Sequence, residues 1–188
     1  MLWIGMSFDG FTSGVNEQLD WLVPYVTAPE GMAIFRRLRE RCDTILLGRV
    51  NYEGFHGYWP AVQNDPKASP DDVDISRWLD KIPKVVFSRT LNEVTWKNAR
   101  LAKGSAADEV AELKRAPGKD LLIQNSTRLA HSLLEAGLVD ELNITVAPVV
   151  VGEGRPLFTG LKRRIELRQA ELTRFENGTV YTRYEVKR

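Results

Sequence analysis

Short β-rich runs alternate with amphipathic helical stretches along this chain, and that alternation admits few folds. Leu2–Met6 reads as a strand, followed by a turn at Asp9-Gly10. Thr27 and Glu30 have capping-box spacing ahead of a helix whose apolar face is Met32, Phe35, Leu38 and Cys42. Thr44–Leu47 reads as a second strand, after which Gly48-Arg49 opens an aromatic-rich segment reaching Trp59. Residues 60–74 hold three prolines and four aspartates and read as a surface loop. Ile75–Ile82 then has the pattern of a short helix, and Lys84–Phe87 that of a buried strand.

The same alternation continues downstream. Ser105–Ala116 predicts a helix with Val110 and Leu113 inward, and Leu121–Ile123 another buried strand. Helix Thr127–Ala136 follows at once, with Gly137 as its stop. Leu142–Val151 is nearly continuous in apolar residues, as a central strand should be. Ile165–Phe175 and Thr179–Val186 flank Glu176-Asn177-Gly178, and Asn-Gly is a strong hairpin signal. The expectation is an α/β fold: a mainly parallel central sheet, helices on both faces, and a C-terminal antiparallel hairpin. At 188 residues, 1–188 fits a single domain.

Composition narrows the function. A formal net charge of +1 gives no electrostatic reason to expect nucleic acid or an anionic membrane as partner. Cys42 is the sole cysteine and His56 and His131 the only histidines, so no disulfide and no metal centre are expected. Neither a signal peptide nor an apolar run of spanning length is visible, which points to the cytoplasm. His131 lies mid-helix beside Leu133 and Leu134, where packing or solvent is the ordinary role.

In an open parallel sheet, ligands bind beyond the carboxyl ends of the strands. Three segments place small, polar or cationic residues there. Gly48, Arg49, Val50 and Asn51 follow a buried strand, where glycine lets backbone approach a phosphate and the next amides donate. A strand-to-helix turn with a surface arginine is the alternative. Ser88, Arg89 and Thr90 would suit a ribose 2′-phosphate, or form a polar turn. Gln124, Asn125, Ser126, Thr127 and Leu129 surround a helix start, where Ser126 and Thr127 serve equally well as caps. No Gly-x-Ser-x-Gly elbow, phosphate loop or Gly-x-Gly-x-x-Gly fingerprint is present.

Taken in order, several motifs resemble the dihydrofolate reductase-like family, which includes the reductase domain of bifunctional riboflavin-biosynthesis proteins. They are Ser7-Phe8-Asp9-Gly10-Phe11, Leu47-Gly48-Arg49 with Tyr52-Glu53, Phe87-Ser88-Arg89-Thr90-Leu91, and Leu134 to Leu142. Ala147-Pro148-Val149 and Gly152 to Phe158 complete the set. The resemblance implies that fold, NADP(H) as cofactor, and a homodimer acting on a small molecule. It places Gly48 to Asn51 and Ser126 to Leu129 at the phosphates and nicotinamide, and Ser88 to Thr90 at the adenosine phosphate.

The chain departs from the family at three places. Asn125-Ser126 stands where dihydrofolate reductases have Gly-Gly. Gln124 and Trp3 stand where the riboflavin-pathway reductases carry an acid and a lysine. The resemblance therefore implies a hydride transfer to a small heteroaromatic substrate that is neither dihydrofolate nor the riboflavin intermediate. A nucleotide-binding homodimer without turnover is the alternative. The catalytic residue is open, with Glu30 and Asp9 as the acids available.

Overall fold

The computed structural model describes residues 1–187. Its first strand, β1 (Leu2–Ser7), lies deep in an eight-stranded sheet, and a short β2 (Phe11–Ser13) follows the turn at Gly10. Then come α1 (Val23–Val26), α2 (Pro29–Arg41), β3 (Cys42–Gly48), α3 (Arg49–Val62), α4 (Pro70–Lys81), β4 (Lys84–Phe87) and β5 (Ala99–Leu101). The rest is α5 (Ala106–Arg115), β6 (Asp120–Gln124), α6 (Thr127–Glu135), β7 (Glu141–Ala147), β8 (Arg155–Pro156), β9 (Leu167–Arg174) and β10 (Val180–Val186).

The strand order is β5-β4-β3-β6-β1-β7-β10-β9, and the strands from β5 through β7 pair in parallel. Strand β10 runs antiparallel to both β7 and β9, closing the hairpin that Asn177-Gly178 announces. Gly178 takes a φ of 85°, which suits a residue with no Cβ. A separate two-stranded ribbon joins β2 to β8.

Each face of the sheet carries its own core because side chains alternate along a strand. Ile45 and Leu47 of β3 pack with Ile34, Phe35 and Leu38 of α2 and Leu79 of α4. Leu46, between them, points the other way to Val110 of α5 and Leu133 of α6. Full burial of one such side chain is worth roughly 1.5–3 kcal/mol.

Four local expectations are corrected. Thr27 and Glu30 form no capping box: Ala28 occupies the cap position of α2, and Thr27 Oγ1 donates back to the Val23 carbonyl at 2.8 Å. The Glu30 carboxylate instead accepts from the Glu176 amide at 3.1 Å, tying α2 to the hairpin turn. Cys42 begins β3 and is not part of the helix. The loop over 60–74 shrinks to residues 63–69, because α3 runs through Pro60 and α4 starts at Pro70. Pro70 suits the first helical turn, Ser69 Oγ accepts from the Asp72 amide at 3.1 Å, and Asp71 and Asp72 favour the positive helix end. Strand β7 stops at Ala147, since Pro148 has no N–H for the ladder.

Candidate active site

The carboxyl ends of β3, β4, β5 and β6 open into one cleft of about 1060 Å³. Helices α3 and α6 begin there directly after their strands, and Gly104, Ser105 and Ala106 bring the start of α5 to the same cleft. Unpaired amides and the helix dipole make each such terminus attractive to anions.

Backbone geometry makes the abrupt turn from β6 into α6. Asn125 has φ 56° and Ser126 φ 33°, two consecutive residues in the left-handed region. The Asn125 amide still donates to the Trp3 carbonyl at 2.9 Å, so the chain leaves the sheet only after that bond. Ser126 Oγ then accepts from the Gly48 amide at 2.9 Å, and Asn51 Nδ2 donates to the Gln124 carbonyl at 3.3 Å. These two bonds fasten the starts of α3 and α6 to one another.

Among the described residues, four arginines line the cleft, namely Arg49, Arg89, Arg128 and Arg155, against one carboxylate, Glu17. Arg155 pairs closely with Glu17. The Arg155 guanidinium holds the Glu17 carboxyl below the usual range, helped by the Ser13 hydroxyl and the field of Arg128. Arg49 makes a half-exposed pair with Glu53 at 2.7 Å, which contributes little in water. Among the described residues, Arg89 and Arg128 make no salt bridge. The Ser88 hydroxyl is used locally, accepting from the amides of Thr90 and Leu91 at 3.1 and 2.9 Å, which presents Arg89 from a braced turn.

The cleft is therefore cationic, with several backbone donors at one side and an apolar wall at another. Gly48, Arg49, Val50, Asn51, Ser88, Arg89, Thr90, Asn125, Ser126, Thr127 and Leu129 all line it, as the three strand-end segments led one to expect. Gln124 does not: it is buried, its Oε1 lacks a hydrogen-bond partner among the described residues, and its carbonyl accepts from Asn51. Neither Asp9 nor Glu30 lines the cleft. The Asp9 carboxylate accepts from Ser7 Oγ at 2.6 Å and from the amides of Val151 and Gly152, pinning a loop. The Ser7 hydroxyl leads in holding that carboxyl below its ordinary range.

Sequence reasoning missed Thr12, Ser13, Glu17 and Arg155, which line the cleft from segments far apart in the chain. Thr12 Oγ1 lies 2.9 Å from Thr127 Oγ1 and donates to the Arg155 carbonyl at 3.1 Å, so the β2–β8 ribbon is what brings this corner to α6. Ser105 also lines the cleft, and it carried a legible signal as a capping serine three residues ahead of Asp108.

A parallel sheet with an anion-attracting cleft at its carboxyl edge defines an α/β protein whose ligand site lies beyond the strand ends. The RibD C-terminal domain model matches residues 1–181, and the chain belongs to that family. YyaP of Bacillus subtilis (strain 168), an uncharacterized protein, is 33% identical over 181 residues, covering 96% of this chain and 91% of its own. A provisionally named riboflavin biosynthesis protein of Shewanella sp. PV-4 superposes with a TM-score of 0.78 at 25% identity, over 100% of this chain and 98% of that one. The diaminohydroxyphosphoribosylaminopyrimidine deaminase/5-amino-6-(5-phosphoribosylamino)uracil reductase of Thermotoga maritima shares the fold, with TM-score 0.67 at 11% identity. That match covers 99% of this chain and 56% of the Thermotoga chain. Family and fold together support a reductase-like role. Among the described residues, no helix is long and apolar enough to cross a membrane.

Proposed function

We propose that this protein is an NADPH-dependent reductase that passes a hydride to a small heteroaromatic substrate. The observation that carries the reading is the meeting of three helix starts with Arg89 and Arg128, which have no salt bridge among the described residues, in one cleft. A dinucleotide with a 2′-phosphate is an elongated polyanion, and this donor set suits it: amides at the starts of α3 and α6 for the pyrophosphate, Arg89 and Thr90 for the 2′-phosphate. When bound, the dihydronicotinamide supplies the hydride. The chain's own part is to orient the two partners, with the Ser126–Gly48 bond keeping both phosphate-binding helix starts in register. On the same reading the protein works on a small molecule as a cytoplasmic homodimer, without nucleic acid or membrane as partner.

Calorimetric titration with NADPH and with NADH tests the cofactor, and loss of NADPH absorbance with a panel of pterins, flavins and quinones tests turnover. Tighter binding of NADPH together with its oxidation is the expected result. A stable NADPH complex that no acceptor discharges would favour a nucleotide-binding protein without turnover, and no binding at all would overturn both.

A further inference from the structure

The cleft has a half that a polyanionic cofactor does not explain. Leu19, Leu22, Val23 and Val26 line it from the α1 region, and Phe55, Tyr58 and Trp59 line it from α3. Leu19, Val23 and Tyr58 are 44%, 50% and 58% exposed. Apolar side chains left in water and gathered in one concavity mark a place for an apolar ligand.

The α3 side of this wall is aromatic. Phe55 and Trp59 meet edge to face with centroids 6.5 Å apart, and Tyr58 meets Trp59 in the same manner at 5.1 Å. On the sheet beneath, Gly5 supplies no side chain: a Cβ there would lie 2.9 Å from Leu22 and 3.0 Å from Val26. That absence lets the α1 residues settle close to β1. Trp3, two residues away on the same face, is held flat against Phe35 with centroids 4.2 Å apart.

The seven side chains named above carry no charge. Among the described residues the one carboxylate lining the cleft, Glu17, is already committed to Arg155, which leaves no free acid there to meet a protonated amidine edge of the kind a diaminopyrimidine carries. We infer that the α1–α3 half of the cleft is a subsite for an uncharged, planar aromatic ring, and that it discriminates against cationic pyrimidines and against ribosyl phosphates. The inference rests on the proposed function only in giving the polar half to the cofactor.

The test is calorimetry on protein saturated with NADP⁺, so that no ligand is consumed, using quinoxaline, 2,4-diaminopyrimidine below its pKa, and uridine 5′-monophosphate as probes. Quinoxaline should bind about tenfold or more tightly than either of the others, as apolar burial without an unpaired charge requires. Val23→Ser and Tyr58→Ala change exposed side chains, so folding should survive, as an unchanged melting temperature will show. Together they should weaken quinoxaline about fivefold or more. Preference for diaminopyrimidine or for the nucleotide overturns the inference, as does quinoxaline binding that the paired substitutions leave intact. If NADP⁺ itself fails to bind, the cofactor reading falls, and the same quinoxaline titrations on the free protein still decide the subsite.

Discussion

Ser126 Oγ and the Gly48 amide stand 2.9 Å apart, joining the last residue of β3 to the left-handed turn that starts α6. Removal of the hydroxyl in Ser126→Ala takes away the acceptor of the part-buried Gly48 N–H, a loss of about 0.5–1.5 kcal/mol. In a chain of this length that lowers the melting temperature by several degrees. NADPH affinity should fall with it, because two helix starts lose their common register. Thermal unfolding with and without NADPH is the measurement, and an unchanged affinity would separate the bond from the cofactor.

Asn125 precedes that serine at φ 56°, a conformation that glycine accepts without steric cost and a β-branched residue does not. Asn125→Gly should retain or raise stability and NADPH binding. Asn125→Val should lose on the order of 1–3 kcal/mol of stability through backbone strain. A valine variant that melts like the parent and is equally stabilised by NADPH would make Asn125 an ordinary helix-start residue.

Arg89 projects from a turn braced by Ser88 and has no salt-bridge partner among the described residues. Arg89→Ala should weaken NADPH by about 1.5–3 kcal/mol, the range for hydrogen bonds to charged groups, with NADH barely affected. Equal losses for the two cofactors would assign Arg89 to the fold.

Much of this architecture was legible because buried strands and amphipathic helices carry their periods locally. The strand-end runs at Gly48, Ser88 and Ser126 could be picked out for the same reason: each sits immediately after an apolar run. The Glu17–Arg155 corner could not, since it depends on the β2–β8 ribbon bringing residues 138 positions apart together. Asp9 and Glu30 misled because an acid near a turn or helix start reads alike whether it serves chemistry or accepts from a distant backbone amide. The aspartates before Ile75 misled in the opposite sense, being helix-start residues that composition assigned to a loop.

Lys84 gives a prediction for pH. Its side chain is 1% exposed, and Nζ donates to the carbonyls of Leu79 and Ile82 at 2.5 and 2.8 Å, 4.7 Å from the centre of the Trp96 ring. Burial lowers its pKa to about 8, against the opposing pull of Asp80. A base whose folded pKa is depressed binds fewer protons folded than unfolded between the two values. Stability from this group therefore rises as pH climbs from about 8 toward the unfolded value, and is lost as pH falls back through 8. Denaturant unfolding should show a gain of about 1–2 kcal/mol between roughly pH 7 and pH 9.5 that Lys84→Met abolishes. A parallel pH profile in the two proteins would mean that Lys84 keeps an ordinary charge.

The place of β1 in the sheet has a consequence for how the chain reaches this structure. Its neighbours are β6, paired through Leu2 with Ile123, and β7, paired through Leu2 with Leu142. Strand β1 thus has no partner in the sheet until more than a hundred further residues have been made. Contacts of such long sequence separation slow folding, because loop-closure entropy is spent before they form. During synthesis, Leu2 and Ile4 remain an apolar segment with open backbone groups on both edges, the kind of segment that invites aggregation or a chaperone's hold. Refolding from denaturant should accordingly be slow and sensitive to protein concentration, with the sheet's centre protected from hydrogen exchange only after β6 and β7 have docked.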